Sequence, residues 1–309
     1  MITKKIGIAI VATSGYARGD DAIARGVARL EARGFTVHNY YDPDQVHQRF
    51  GGTDQARLAQ LTAAAANPGV QLVMALRGGY GLTRLLPQID FDAMAASGKI
   101  FVGFSDFTAF QMALLARTGA GSVTGPMFFG DFGAPLEQVD FTLDSFWRCL
   151  AGPTHQILQD TLGNPELEVE GKIWGGNLAM LVSLLGTPYF PQVDQGILFV
   201  EDVSEHPYRV ERMLLQLHQA GVLARQQALI LGDFSSYQLS PADNGYAFET
   251  MLDYLRETLP IPVLSGLEFG HSARRVTIPF GATARLSSDA TGFALTMRDY
   301  PTLPNDPVQ

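Results

Sequence analysis

Four strand-like runs, at residues 6–12, 36–40, 70–76 and 100–102, alternate with helical segments over the first 110 residues. The helices are read at 20–32, where Ile23, Val27 and Leu30 recur at helical spacing, at 53–66, at 91–96 and from Thr108 onward. Thr53 supplies a plausible cap for the second helix. Strands alternating with helices close most readily as a parallel sheet with helices on both faces, because strand–helix–strand crossovers are right-handed. The run at 70–76 is apolar throughout, as a strand buried on both faces requires. In such a sheet, ligands bind at the loops that leave the carboxyl ends of the strands.

Two of those loops carry chemistry. The run at 70–76 leads straight into Arg77-Gly-Gly-Tyr-Gly81, and the run at 100–102 into Gly103-Phe-Ser105-Asp106. A serine on a sharp strand-to-helix turn is exposed, with the free N–H groups of a helix start beside it. Ser105 there is either a nucleophile or only the cap of the helix, with Asp106 suiting the helix dipole. The glycine loop lacks the spacing of either phosphate-binding fingerprint. It reads as a tight turn or as a loop whose backbone N–H groups approach a reacting carbonyl.

Composition narrows the classes. A chain of 309 residues with 46% hydrophobic and 17% charged residues is an ordinary globular protein of two domains or one large one. The net charge of −9 argues against nucleic acid as the partner. The lone Cys149 forbids an internal disulfide, and the histidines lack metal-site spacing, so no metal and no cofactor are expected. Lys4-Lys5 before the first apolar run faintly imitates a leader peptide, but the run breaks at Thr13-Ser-Gly15 and reads better as a buried strand. No run reaches the ~18 apolar residues of a membrane helix, so the expectation is a soluble, cytoplasmic protein.

From 121 to 161 the pattern weakens, apart from a short helix at 141–150, and the polar stretch 151–170 reads as a linker. This gives an N-terminal domain at 1–150 and a C-terminal domain at 171–309. The second half alternates again: a strand at 171–173, a helix at 178–185, a strand at 196–200 delivering Glu201-Asp202, a helix at 208–220, a strand at 228–231, a helix at 247–258 and a strand at 262–264. The tail, 276–286 and 292–297, alternates like antiparallel strands. The fold class is therefore α/β. A parallel N-terminal sheet carries the serine elbow, and the C-terminal domain is mixed and includes antiparallel strands.

A serine nucleophile needs a base and an acid to orient it. Glu201 ends an apolar strand and His271 sits in a turn after a short one, while His206 and His218 remain rivals on spacing. A lipase-type Gly-x-Ser-x-Gly elbow is not satisfied, since Phe107 stands where the second glycine belongs.

Five stretches in order resemble the LD-carboxypeptidase family, the murein tetrapeptide carboxypeptidases, which also includes microcin-immunity peptidases. They are Ala75-Leu-Arg-Gly-Gly-Tyr-Gly81 with Leu85-Leu-Pro87, then Val102-Gly-Phe-Ser-Asp-Phe-Thr-Ala109, and Trp174-Gly-Gly-Asn-Leu178 with Leu184-Leu-Gly-Thr-Pro188. Leu198-Phe-Val-Glu-Asp-Val203 with Pro207-Tyr-Arg209 follows, and last Gly266-Leu-Glu-Phe-Gly-His271 with Thr277-Ile-Pro-Phe-Gly281. One departure is Ala12-Thr-Ser-Gly15, where the family usually has a proline after the alanine.

The resemblance implies Ser105 as nucleophile, His271 as base and Glu201 as orienting acid, in a site between two domains, and a homodimer. It implies cleavage of the L,D bond before the terminal D-alanine of a muropeptide tetrapeptide. The backbone N–H groups of Gly79 and Asp106 would then meet the oxyanion. Arg77, Tyr80, Arg84 and Arg274 are candidates to hold the substrate. Two other readings stand beside this one: a microcin-type immunity peptidase acting on a peptidyl-nucleotide, and a two-lobed binding protein without catalysis.

Overall fold

The computed structural model describes residues 5–303, so Lys4 and the last six residues of the expected C-terminal domain lie outside the described residues. The chain runs β1 (Gly7–Val11), α1 (Asp20–Ala32), β2 (Thr36–Asn39), α2 (Asp54–Ala66), β3 (Leu72–Ala75), α3 (Phe91–Ala96), β4 (Ile100–Gly103), α4 (Thr108–Thr118), β5 (Ser122–Thr124) and α5 (Leu136–Ala151). It continues β6 (Thr154–Asp160), β7 (Leu167–Asn177), α6 (Leu178–Ser183), β8 (Gly196–Val203), α7 (Pro207–Gln219), β9 (Gln226–Ser235), α8 (Phe248–Thr258), β10 (Val263–Ser265), β11 (Ile278–Phe280), β12 (Thr283–Ser288) and β13 (Gly292–Arg298). Thr53 caps α2 as expected, its hydroxyl accepting from the Ala56 N–H.

Two sheets result. The first has the order β11-β5-β4-β3-β1-β2, parallel except for β11. Its apolar strands are buried on both faces, which explains the unbroken run at 70–76. The carboxyl ends of β1, β3 and β4 lie side by side, so the loops after them converge: Ser14 after β1, the glycine loop after β3 and Ser105 after β4. The second sheet has the order β10-β9-β8-β7-β12-β13-β6. Its β7-β8-β9-β10 half is parallel, and the β7-β12-β13-β6 half is antiparallel, as the tail pattern suggests.

The stretch 151–170 is not an irregular connector. It contains β6 and the start of β7, both paired in the second sheet. In β6, His155 and Ile157 are buried while Thr154, Gln156 and Leu158 are exposed. The polarity of this stretch is the outer face of an edge strand. Likewise β5 hides in a run rich in Gly and Pro, because it is three residues long and two of them are hydroxyls; both are satisfied by the buried Gln111 amide, at 3.2 Å and 3.0 Å.

The chain does not stay in the second sheet once it enters it. After β10 it crosses back, and β11 pairs antiparallel with β5, Ile278 opposite Thr124. It then returns as β12, the Gly281 N–H donating to Ile173 and the Ile173 N–H to Ala282. One continuous apolar core accordingly spans both sheets, including Phe101 and Phe110 of the first half and Trp174 and Phe199 of the second.

Gly175, in β7, has φ +139°, and a Cβ there would sit 1.8 Å from the Phe199 carbonyl of β8. Gly175→Ala is therefore expected to lower unfolding free energy by more than about 2 kcal/mol in a urea titration. A second expectation concerns pH. Burial pushes the His155 imidazole down to about 4, so it folds neutral. Its unfolded-state value lies higher, so this stability is present above pH 6.5 and lost as pH falls toward 4. Thermal melting of His155→Gln between pH 7 and 4 is expected to fall less steeply than that of the unsubstituted chain.

Candidate active site

Ser105 follows β4 in a backbone that few side chains adopt, with φ +60°. The turn throws its hydroxyl out of the sheet and into a one-turn helix over residues 105–107 that continues as α4. Phe107 stands where a lipase-type elbow has its second glycine, and its ring lies over Gly103, where a Cβ would come within 2.7 Å of it. Ser105 is not a helix cap. Its hydroxyl instead lies 3.0 Å from His271 Nε2.

His271 Nδ1 is 2.7 Å from Glu201 Oε2. Glu201 is fully buried, in β8 beside Asn177 of β7. A buried carboxylate is tolerable only with partners, and Glu201 has two, since the Asn177 amide donates to its other oxygen at 3.3 Å. The neighbouring Asp202 accepts from the Asn177 amide at 2.9 Å, from the Ala179 N–H at 2.8 Å and from the Val203 N–H at 2.9 Å. Burial, with the Glu201 charge adding, still pushes the Asp202 carboxyl up to about 6.

Asn177 also ties this pair to the serine. Its backbone N–H donates to the Thr108 hydroxyl at the start of α4, at 3.1 Å. Gly176 allows the approach, since a Cβ there would lie 2.7 Å from that hydroxyl. The motif Trp174-Gly-Gly-Asn177 thus joins the two halves of the site, a role that no local pattern announced.

His271 sits on the segment that crosses between the sheets, and the first half grips that segment. Thr142 of α5 donates to the Ala273 carbonyl at 2.9 Å and accepts from the Arg275 N–H at 3.0 Å; Ser145 accepts from the Thr277 N–H at 2.9 Å. Arg275, buried, is ion-paired with Asp131 and lies over the Phe104 ring, which in turn packs on the His271 ring at 5.1 Å.

The glycine loop lies against the serine. A Cβ on Gly78 would come within 2.8 Å of Ser105 Oγ and 3.6 Å of the Asp106 nitrogen. Gly79, with φ +115°, is exposed, and the Asp106 N–H opens a helical turn, where no preceding carbonyl is due to it. Asp106 lies in the first turn, as the dipole reading expects, and its side chain does more than complement the dipole. It is buried, accepting from the Ser14 hydroxyl at 2.6 Å and the Leu82 N–H at 3.0 Å, and so pins together the loops after β1, β3 and β4. Burial raises its carboxyl above the usual range. Arg57, fully buried, donates to the carbonyls of Thr13 and Gly81 and pairs with Asp54. A charged residue on the apolar stripe of α2, with Leu61 and Ala64, is the signal that could have found it.

The remaining candidates scatter. Arg84 pairs with Asp54 at 2.8 Å, and Arg274 pairs with Glu268 at 2.7 Å and lies over the Phe141 ring. Tyr80 is 41% exposed and lies under Arg49. Arg77 is half-buried and donates to the Tyr16 carbonyl at 3.2 Å. Of the rival histidines, His206 is paired with Asp243 at 3.1 Å, and His218 lies in the last turn of α7. Among the described residues no group of three or more His, Cys, Asp or Glu could hold a metal ion, and no helix is long and apolar enough to cross a membrane.

Residues 8–125 match the LD-carboxypeptidase N-terminal domain and residues 170–286 the LD-carboxypeptidase C-terminal domain. A crystal structure of muramoyltetrapeptide carboxypeptidase from Oxalobacter formigenes is 50% identical, superposes with a TM-score of 0.92, and covers 96% of this chain and 100% of its own. The murein tetrapeptide carboxypeptidase of Pseudomonas aeruginosa is 32% identical over 277 residues, 87% of this chain and 89% of its own. The microcin C7 self-immunity protein of Escherichia coli is 27% identical over 303 residues, 88% of this chain and 87% of its own.

A fluorophosphonate probe tests the reactivity of the serine. Ser105→Ala is expected to abolish labelling. Gly78→Ala, whose methyl lands on Oγ, is expected to slow labelling by about 100-fold, with an unchanged melting curve showing that the loss is local.

Proposed function

The chain belongs to the LD-carboxypeptidase family of peptidases, and from that premise we propose that it hydrolyses the L,D-peptide bond before the terminal D-alanine of muropeptide tetrapeptides. The observation that carries the reading is the hydrogen-bonded line Glu201–His271–Ser105, at 2.7 Å and 3.0 Å. In this proposal His271 Nε2 takes the proton of Ser105 as Oγ attacks the scissile carbonyl carbon. Glu201 holds the Nδ1–H tautomer and stabilises the imidazolium that forms. The backbone N–H groups of Gly79 and Asp106 receive the developing oxyanion. The imidazolium then protonates the leaving amine, D-alanine departs, and water, deprotonated by His271, resolves the acyl-enzyme on Ser105.

The 50% identity to a muramoyltetrapeptide carboxypeptidase, against 27% to the microcin immunity protein, supports a muropeptide over a peptidyl-nucleotide as substrate. Cytoplasmic cell-wall recycling by a homodimer belongs to the same proposal and rests on the family resemblance alone.

Release of D-alanine from L-alanyl-γ-D-glutamyl-meso-diaminopimelyl-D-alanine is the direct test. Ser105→Ala is expected to lower kcat by at least ~10³-fold, and Glu201→Gln, which keeps the shape and loses the charge, by ~10²–10⁴-fold. Cleavage of a peptidyl-nucleotide with no release of D-alanine would transfer the activity to the other branch of the family.

A further inference from the structure

A carboxypeptidase must recognise a chain end as well as a bond, and the terminal carboxylate of the substrate lies within one residue, about 3.5 Å of chain, of the carbon that Ser105 attacks. A guanidinium beside the serine is well suited to receive it, because it can donate two parallel hydrogen bonds to a carboxylate. The arginines around the elbow can be sorted by what already neutralises them. Arg57 and Arg275 are buried against Asp54 and Asp131. Arg84 and Arg274 are paired with Asp54 and Glu268. Arg49 and Arg18 show no carboxylate partner among the described residues, but both are exposed, Arg49 over the ring of Tyr80 and Arg18 donating to the Tyr16 hydroxyl.

Arg77 alone among these combines the lack of a carboxylate partner with partial burial. It immediately precedes Gly78, the residue packed on Ser105 Oγ, and leaves β3 beside β4, with Met74 opposite Val102 in the register that leads to the serine. It is half-buried, and its one hydrogen bond among the described residues goes to a neutral carbonyl, that of Tyr16, through Nη1. A guanidinium has five N–H donors in a planar fork. The carbonyl fixes one of them, and the rest of the fork is left for a planar anion that binds two donors at once. Gly15 permits this posture, since a Cβ there would come within 3.2 Å of Arg77 Nε.

We propose that Arg77 is the specificity-determining residue that receives the free C-terminal carboxylate of the substrate and so restricts the site to chain ends. This rests on the peptidase reading above and adds to it the group that makes the enzyme an exopeptidase.

The test compares two tetrapeptides, one ending in D-alanine and one in D-alaninamide, with the unsubstituted enzyme, Arg77→Met and Arg77→Lys. The acid-to-amide ratio of kcat/KM within each protein cancels differences in the amount of folded enzyme. The unsubstituted enzyme is expected to prefer the acid by on the order of 10–100-fold, as a charge-assisted hydrogen-bonded pair warrants. In Arg77→Met the preference is expected to vanish, with KM raised more for the acid than for the amide. Arg77→Lys, which keeps the charge and loses the fork, is expected to fall between them. An unchanged ratio in both variants, with cleavage retained, would overturn the role of Arg77 and leave the peptidase reading intact. Failure of the unsubstituted enzyme to cleave either peptide would overturn both.

Discussion

The arrangement depends on one buried carboxylate. Glu201 has no solvent contact, and its charge is made tolerable by His271 on one oxygen and Asn177 on the other. Removing a partner from a buried charge costs about 3–5 kcal/mol, so folding must bring both partners to it. Asn177 comes from the adjacent strand and is in register by default. His271 comes from a segment 70 residues later that has already left the second sheet. The carboxylate thus selects, among ways of closing the chain, the one in which that segment passes over the end of β8.

The segment also has to reach the first sheet, and this sets the distance to the serine. Thr142, Ser145 and Asp131 belong to the first half and hold residues 273–277 by their backbone or through Arg275. The imidazole is therefore fixed from both sides, by a carboxylate of the second sheet and by helix α5 packed on the first. Phe104, next to Ser105 in sequence, packs against the imidazole, the two rings tilted by 58° at 5.1 Å. Ser105 then needs only the left-handed turn after β4 to point at Nε2. The backbone strain of that turn, of order 1–3 kcal/mol, is offset by the deep burial of Phe107 and Phe110 just beyond it.

Much of this was legible in the chain because the signal was local. The strands β1, β3 and β4 are apolar runs, and α1 and α2 appear where spacing and a cap place them. Local chemistry also singled out the glycine loop and the elbow. What could not be read is what depends on distant partners. The strand β6 looked like a linker because an edge strand shows its polar face in sequence. β11 pairs with a strand about 150 residues earlier, which no window of sequence contains. The first-turn place of Asp106 was legible, but not that its side chain bonds Ser14, 92 positions away. Arg57 and Asn177 are bonded to backbone and side chains of other loops, so their types alone said nothing.

These long-range polar bonds have a common logic. Each buried charge in the first half, Asp106, Arg57 or Asp131, is anchored to backbone groups of the loops around the serine: Leu82, Thr13, Gly81 and Met127. Glycine-rich loops are otherwise the most mobile part of an α/β sheet, since glycine carries the largest conformational entropy. Fixing them with hydrogen-bonded charges holds N–H donors in place before any ligand arrives, which is what makes such donors effective against a developing negative charge. The apolar core alone could not do this, because the loops expose Gly79 and Tyr80 to solvent and bury little side-chain area. The loops are thus tethered where hydrocarbon is scarce, by carboxylates and guanidinium groups whose desolvation their own hydrogen-bond partners offset.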